Sequence, residues 1–279
     1  MASLSFACVL AGSHAAEAYC LTTTVSEPRG WDPEAQGCFH EGAVLAWPDA
    51  PIDLHVDAVA SRKVPFDVAQ RALDAAFERW SSVVCDVPGA LSTAVVHPRF
   101  HVRNLGPLTV DLSDCTTEEC ARDRLAEQRL LVFRDDEWPN AEGAITYALT
   151  TVTYRVGSGR VAGAFIEVNT ADHDFVEHGP TGGDVAALDY VLTHEAGHFL
   201  GLAHSDRADA IMNRLYHPER EATLLRDDEA AICSIRTAAP PEAARAGCGC
   251  GVPSSGPHHG WLLGLGLAAL VVRRSHRVR

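Results

Sequence analysis

Three histidines and one glutamate lie close together in residues 194–204, which read HEAGHFLGLAH. His194 and His198 are four positions apart, so on a helix they are separated by about 40° around the axis and about 6 Å along it. Both imidazoles can therefore reach a single Zn²⁺ ion. Glu195 stands beside them, and its carboxylate can take a proton from a metal-activated water and deliver it to a leaving group. The spacing predicts zinc-assisted hydrolysis with Glu195 as the general base.

A third ligand is needed, because catalytic zinc usually has three protein ligands and one open position. His204 would point about 240° away from His198 if the helix continued. The chain must therefore turn, and Gly201 stands where glycine can adopt a left-handed bend without steric cost. We predict that His194, His198 and His204 bind zinc and that Gly201 ends the helix. The alternative, an amphipathic helix with incidental histidines, leaves this spacing unexplained.

Residues after the motif extend its pattern. Met212 lies eight residues after His204, and Ser205 follows the third ligand directly. With these residues the segment resembles the metzincin metallopeptidases, and within them the matrixin branch. The resemblance implies a zinc endopeptidase that acts on protein or peptide substrates, and it implies that Met212 forms a hydrophobic floor under the zinc site.

Three further stretches are similar to bacterial matrixins, namely residues 148–154, 159–169 and 225–232. Over about residues 50–236 the resemblance implies an α+β fold of the metzincin type. Such a fold has a mixed twisted sheet, two long helices, an active-site helix that ends at the glycine bend, and a small C-terminal subdomain with the methionine turn and a closing helix. It also implies an edge strand that pairs with an extended substrate, which we place in residues 144–152.

The chain departs from the family pattern in two respects. None of its cysteines lies in the cysteine-switch segment that keeps animal matrixins latent. Tyr216 follows Met212 by four residues rather than two, so we do not expect it to be the additional tyrosine ligand of the astacins.

Hydrophobic periodicity predicts the elements that position the motif. Residues 52–57 alternate like a strand, and residues 66–83 carry an apolar stripe at three- and four-residue steps, typical of a helix packed on a sheet. Residues 97–102 and 130–133 are predicted strands, and residues 116–127 a short surface helix. The β-rich runs 144–156 and 161–168 are separated by a Gly-Ser-Gly turn, which predicts a hairpin.

An acidic loop precedes the motif helix. It holds six residues of the types that bind metals: Asp172, His173, Asp174, Glu177, His178 and Asp184. Calcium or a second zinc is one interpretation. The residues have no regular ligand spacing, so a solvated acidic loop is favoured.

Composition and charge restrict the function classes. The 279 residues are 47% hydrophobic and 22% charged, which suits one catalytic domain with short end segments. The net charge is −14, and the last 32 residues carry four arginines and no acid, so the remaining 247 sum to −18. Such a field repels nucleic acid. We expect no nucleic-acid partner and a monomer.

The two ends read as sorting segments. Residues 1–18 are an apolar run that ends in a small-x-small element, which resembles a secretory signal; a mis-assigned start codon and a buried strand are the alternatives. Residues 19–50 read as an irregular N-terminal segment, 51–236 as the matrixin-like catalytic domain, and 237–259 as a linker with a Gly-Cys motif.

Residues 260–279 read as a short hydrophobic helix and a basic tail. With the Gly-Cys motif they resemble the C-terminal surface-sorting signals of myxobacteria, which implies export to the cell surface and transient membrane contact through the tail. A plain tail anchor or a helix packed on the domain is the alternative, although the apolar stretch is short of the about 20 residues that span a bilayer.

Six cysteines remain once Cys8, Cys248 and Cys250 of the end segments are set aside. In an exported chain an even number predicts three disulfides. Cys115 and Cys120 are close enough in sequence to close a local loop, and the pairing of the others is not determined by the sequence.

Two rival functions remain at this stage. One is a surface binding or adhesion protein that zinc stabilises, although a structural zinc site has no need of Glu195. The other is a zinc hydrolase that cleaves a bond other than a peptide bond.

Overall fold

A mixed sheet and the helices packed on it form the framework of the protein. The computed structural model describes residues 19–28, 30–48, 51–85, 102–139, 146–182, 185–237 and 271–278. Its strands are β1 (Ile52–Asp57), β2 (Val102–Leu108), β3 (Arg129–Phe133), β4 (Ala148–Arg155), β5 (Arg160–Val168), β6 (Asp174–Val176), β7 (Val185–Ala187) and β8 (Val271–Val278). Its helices are α1 (Pro33–Gln36), α2 (Phe66–Ser81), α3 (Glu118–Ala126), α4 (Leu188–Leu200) and α5 (Arg226–Thr237).

The main sheet has the order β2-β1-β3-β5-β4-β8. Strands β2, β1, β3 and β5 run parallel to one another, whereas β4 is antiparallel to both β5 and β8. This arrangement confirms the mixed sheet of the predicted α+β fold. A separate two-stranded sheet joins β6 and β7 just ahead of α4.

The strand β4 lies between β5 and β8 in the described sheet. Residues 144–152 were predicted to contain an edge strand, but β8 pairs with β4 from Ala148 to Arg155. That prediction is therefore wrong for the chain as described. Its local pattern could not show that residues more than a hundred positions away supply another strand.

Burial explains why the predicted elements form. Residues of β1 alternate between buried and half-buried, as expected for residues 52–57. The buried residues of α2 are Ala69, Ala72, Leu73, Ala76, Phe77 and Trp80, and all but Ala72 belong to the predicted stripe. The remaining member of that stripe, Phe66, is half-buried. Every residue of α4 is buried, so this helix lies in the centre of the domain.

Several predictions fall where no structure is described. These are the signal segment 1–18, the strand residues 97–101, Asp184, most of the linker and residues 260–270 of the hydrophobic helix. Residues 271–278, predicted to end that helix and form the basic tail, are the strand β8. No helix in the described ranges is long and apolar enough to cross a membrane.

The six central cysteines form three disulfides, Cys20–Cys38, Cys85–Cys233 and Cys115–Cys120. The last is the predicted local loop. Cys85–Cys233 joins the chain after α2 to α5 and closes a loop with a sequence separation of 148. Such pairing fits an extracellular protein.

We expect the paired change Cys85→Ser and Cys233→Ser to cost more stability than Cys115→Ser with Cys120→Ser. Chain entropy predicts up to about 5 kcal/mol for the long loop and about 2 kcal/mol for the short one. Guanidinium unfolding of both double variants and the parent measures the difference. Equal losses would contradict the expectation.

Candidate metal centre

Three imidazoles converge at the C-terminal end of α4. The Nε2 atoms of His194 and His198 lie 3.0 Å apart, and those of His198 and His204 lie 3.3 Å apart. His194 and His198 are fully buried, and His204 is half-buried. In the described ranges this trio is the one cluster whose ligand atoms could hold a metal ion.

Backbone carbonyls determine which nitrogen of two imidazoles carries the proton. His194 Nδ1 lies 2.7 Å from the Ile211 oxygen, and His198 Nδ1 lies 2.9 Å from the Leu202 oxygen. A carbonyl only accepts, so each Nδ1 carries the hydrogen and donates it. Each Nε2 then presents a lone pair. The 3.0 Å approach of these nitrogens is therefore a repulsive contact between two acceptors unless a cation binds both.

His194 is held in the neutral form that a metal ligand requires. Burial lowers the pKa of His194 to about 3, and the neighbouring His204 adds to this effect. The imidazole is consequently neutral at every pH at which the protein would ordinarily work.

The donor set fits zinc. Zn–N bonds of about 2.0–2.1 Å in tetrahedral geometry place neighbouring ligand atoms about 3.3 Å apart. The observed separations of 3.0 and 3.3 Å are close to this value. Three imidazole ligands also leave one of the four usual zinc positions for water or substrate.

A left-handed glycine ends α4 and turns the chain toward His204. Gly201 has φ of 109°, and its N–H donates to the carbonyls of Gly197 and His198. A Cβ at this position would lie 2.8 Å from the Leu45 oxygen, so the site has no room for a side chain. The predicted helix end is thus present, for the predicted reason.

Met212 packs against α4 between the two helical histidines. A Cβ added at Gly197 would lie 2.3 Å from the Met212 sulfur and 3.0 Å from the Trp80 ring. Both side chains are almost fully buried. Gly197 therefore lets the methionine approach the helix backbone one residue before His198, and the role of Met212 as a floor stays a prediction.

The helix α2 fixes the first turns of α4. The indole of Trp80 donates to the Thr193 carbonyl at 2.8 Å, and the guanidinium of Arg79 donates to the Thr193 hydroxyl at 3.1 Å. Arg79 also pairs with Asp189 at 3.1 Å. Since Thr193 precedes His194, these contacts fix the helix that carries two of the three clustered histidines.

A buried carboxylate in α5 holds the methionine turn. Asp228 accepts hydrogen bonds from the backbone N–H groups of Ile211, Met212 and Leu225 at 2.9 to 3.1 Å. Burial raises the pKa of Asp228 to about 6, and the three N–H donors oppose that rise. The backbone of Ile211 thus donates its N–H to Asp228 and accepts a hydrogen bond from His194 at its carbonyl.

The N-terminal segment holds the Leu202 carbonyl, which is the hydrogen-bond partner of His198. The Thr22 hydroxyl donates to the Leu202 oxygen at 2.9 Å, the same oxygen that His198 contacts. The N–H of Thr22 donates to the Gly201 carbonyl, and the N–H of Ala203 donates to the Cys20 carbonyl, each at 2.9 Å. Residues 20–22 thus lie alongside the bend that carries His204.

Glu195 points toward the sheet. It is fully buried, and its Oε2 accepts a hydrogen bond of 2.5 Å from the hydroxyl of Thr150 on β4. The general-base candidate is therefore enclosed between the active-site helix and β4.

The acidic loop before α4 is joined to basic side chains. Glu177 pairs with Arg71 through both carboxylate oxygens at 2.9 and 3.0 Å, and Asp174 pairs with Lys63 at 3.1 Å. Its described residues contribute to no metal cluster. Calcium or a second zinc in this loop remains a prediction that the described contacts do not support.

Tyr216 contributes at the start of α4 rather than as a ligand. Its hydroxyl accepts from the N–H of Ala187 at 2.8 Å and contacts the Thr181 hydroxyl at 2.7 Å. The first N–H groups of a helix have no acceptor within the helix, and the Ala187 side chain cannot supply one. The Tyr216 hydroxyl accepts from one of these groups instead.

Residues 134–236 match the matrixin family model. This segment is matrixin-like. The match covers 103 of the 279 residues and includes the three histidines, Glu195 and Met212. It supports a metallopeptidase of the metzincin type. The predicted resemblance began at about residue 50, so its first part lies outside the matched range. No curated protein matches the chain.

The motif predicted that three histidines meet, and the structure brings them into one cluster. Sequence reasoning missed the residues that support them. Asp228 was seen only as part of a closing helix, and residues 20–22 only as an irregular entry. The one available signal was the acidic start of α5, which does not distinguish a buried carboxylate from a solvated one.

We expect Asp228→Ala to weaken zinc binding by about 10- to 100-fold, because it releases the turn whose carbonyl orients His194. Competition with a chelating indicator measures the dissociation constant. Glu229→Ala, an exposed acid one position further along α5, is the control and should bind zinc like the parent.

If Asp228→Ala does not fold, Asp228→Asn is the second variant, since it keeps one acceptor oxygen and should weaken zinc binding less. Unchanged zinc affinity in a folded Asp228 variant would show that the turn needs no such support.

Proposed function

We propose that this protein is a zinc-dependent endopeptidase that hydrolyses peptide bonds of extracellular proteins. The observation that carries the proposal is the convergence of three histidine Nε2 atoms beside Glu195 in a matrixin-like segment. A structural zinc site would not need a carboxylate next to a ligand, which favours hydrolysis over a purely binding role.

The chemistry divides between the metal and the protein. Zinc held by His194, His198 and His204 would supply a Lewis acid that polarises a carbonyl and lowers the pKa of a water. Glu195 takes the proton of the attacking water and delivers it to the departing amine. The carbonyls of Ile211 and Leu202 keep the two helical imidazoles in the tautomer that presents Nε2.

The surroundings of Glu195 favour proton transfer. The residue is fully buried, as are both helical histidines, so charge that develops there interacts in a medium of low dielectric constant. Met212 and Trp80 close the opposite side of α4 with apolar surface.

Export to the outside of the cell is part of the proposal. The three disulfides support it, because such bonds persist in oxidising surroundings. The proposed signal segment 1–18 and the sorting tail would provide the route.

Glu195→Gln should retain zinc while lowering kcat on casein or a peptide library by at least about a hundredfold, because the amide cannot accept the proton. Glu229→Gln is the control, since it makes the same change at an exposed site. Cleavage is measured with zinc and with chelator.

Each rival reading has its own outcome in this assay. A parent protein that binds zinc but cleaves no peptide would favour a zinc-stabilised binding protein or a hydrolase of other bonds. A Gln variant as fast as the parent would exclude Glu195 as the base.

Substrate access involves β8. An extended substrate that adds to the sheet beside β4 would have to replace β8, which pairs with all eight residues of β4.

Deleting residues 271–279 should therefore raise kcat/KM on peptides, mainly through a lower KM. The same deletion with Glu195→Gln is the control and should stay inactive. An unchanged KM would show that peptides do not compete with β8.

A further inference from the structure

Thr150 makes two contacts with a single residue of the active-site helix. Its hydroxyl oxygen lies 2.5 Å from Glu195 Oε2 and 3.1 Å from the Glu195 backbone oxygen. Thr150 is fully buried in the middle of β4. The side chain therefore bridges the carboxylate of Glu195 and the backbone of the same residue.

The shorter contact is the stronger one. A general base must be ionised to take a proton, and a hydroxyl that donates to an ionised carboxylate forms a bond about twice as strong as a neutral one. The hydroxyl has one proton, so its main acceptor is Oε2. A carboxylate has about four lone-pair sites, and this bond leaves it able to accept from a water as well.

Orientation matters for a glutamate base. The side chain has three rotatable bonds, and without a partner it would occupy several rotamers. A base must lie within hydrogen-bond distance of the proton that it takes. A bond from β4 selects one orientation before the reaction begins.

We propose that Thr150 is a positioning residue that sets the orientation of the Glu195 carboxylate. This inference rests on the proposed function, and it goes beyond it by linking the base to the sheet.

The strand supplies a matched comparison. Thr153 is also buried on β4, but its hydroxyl donates to the Gly163 carbonyl at 3.0 Å, within the hairpin. A Val in place of either threonine keeps the shape and removes one buried hydroxyl. Both changes should cost similar stability, and only the change at Thr150 alters the surroundings of Glu195.

The test compares Thr150→Val, Thr150→Ser and Thr153→Val in the full zinc-loaded chain. Thr150→Val should lower kcat on a cleaved peptide by about tenfold or more, with KM within about twofold and zinc content unchanged. Thr150→Ser should recover most of the rate, because it restores the hydroxyl. Thr153→Val should keep the parent kcat.

A crystal structure of zinc-loaded Thr150→Val separates failure of this inference from failure of the proposed function. We expect the Glu195 carboxylate to leave its parent position, and this can be observed even if no peptide is cleaved. If the protein cleaves peptides, a parent-like kcat in Thr150→Val would overturn the proposal. If the protein cleaves none, an unchanged position of the Glu195 carboxylate in the variant would overturn it.

Discussion

Three imidazole lone pairs pointing at one volume are the constraint on which the rest of the structure depends. The Nε2 atoms of His194 and His198 are 3.0 Å apart, and neither carries the proton that would make this a hydrogen bond. A cation at this point would be held by both nitrogens, so the surrounding chain must orient the imidazoles toward one volume. Much of the architecture around α4 can be understood as the means of doing so.

The supports come from both ends of the domain. Each helical histidine donates to a carbonyl, and each carbonyl belongs to a segment held by another residue: Ile211 by Asp228, and Leu202 by Thr22. The link between the bend and the methionine turn is direct, because the Ser205 N–H donates to the Met212 carbonyl at 2.9 Å. The ligand geometry therefore depends on residues that are nearly the whole domain apart in sequence.

Local spacing was enough to predict what is local. The positions of His194 and His198, the bend at Gly201 and the hairpin before α4 follow from helix period and glycine chemistry, and the structure places them as predicted. The matrixin-like character of residues 134–236 rests on the same motif.

What the sequence could not provide depends on long-range pairing. The sequence does not show whether an aspartate such as Asp228 is buried or solvated. It also does not distinguish Thr150 from the other threonines of the same β-rich run. The addition of β8 to β4 joins segments separated by more than a hundred residues, and no periodicity reveals such a partner. For the same reason the sequence favoured a solvated acidic loop over a metal site in residues 172–178 but could not show that Glu177 and Asp174 pair with Arg71 and Lys63.

The separation of these supports also bears on the order of folding. Residues 20–22 and α5 must both dock before the carbonyls of Leu202 and Ile211 are in place to orient the histidines. A half-formed chain would have the motif helix but not the ligand geometry, and metal affinity would rise only as the last segments close. Zinc capture would thus report completed folding of the domain.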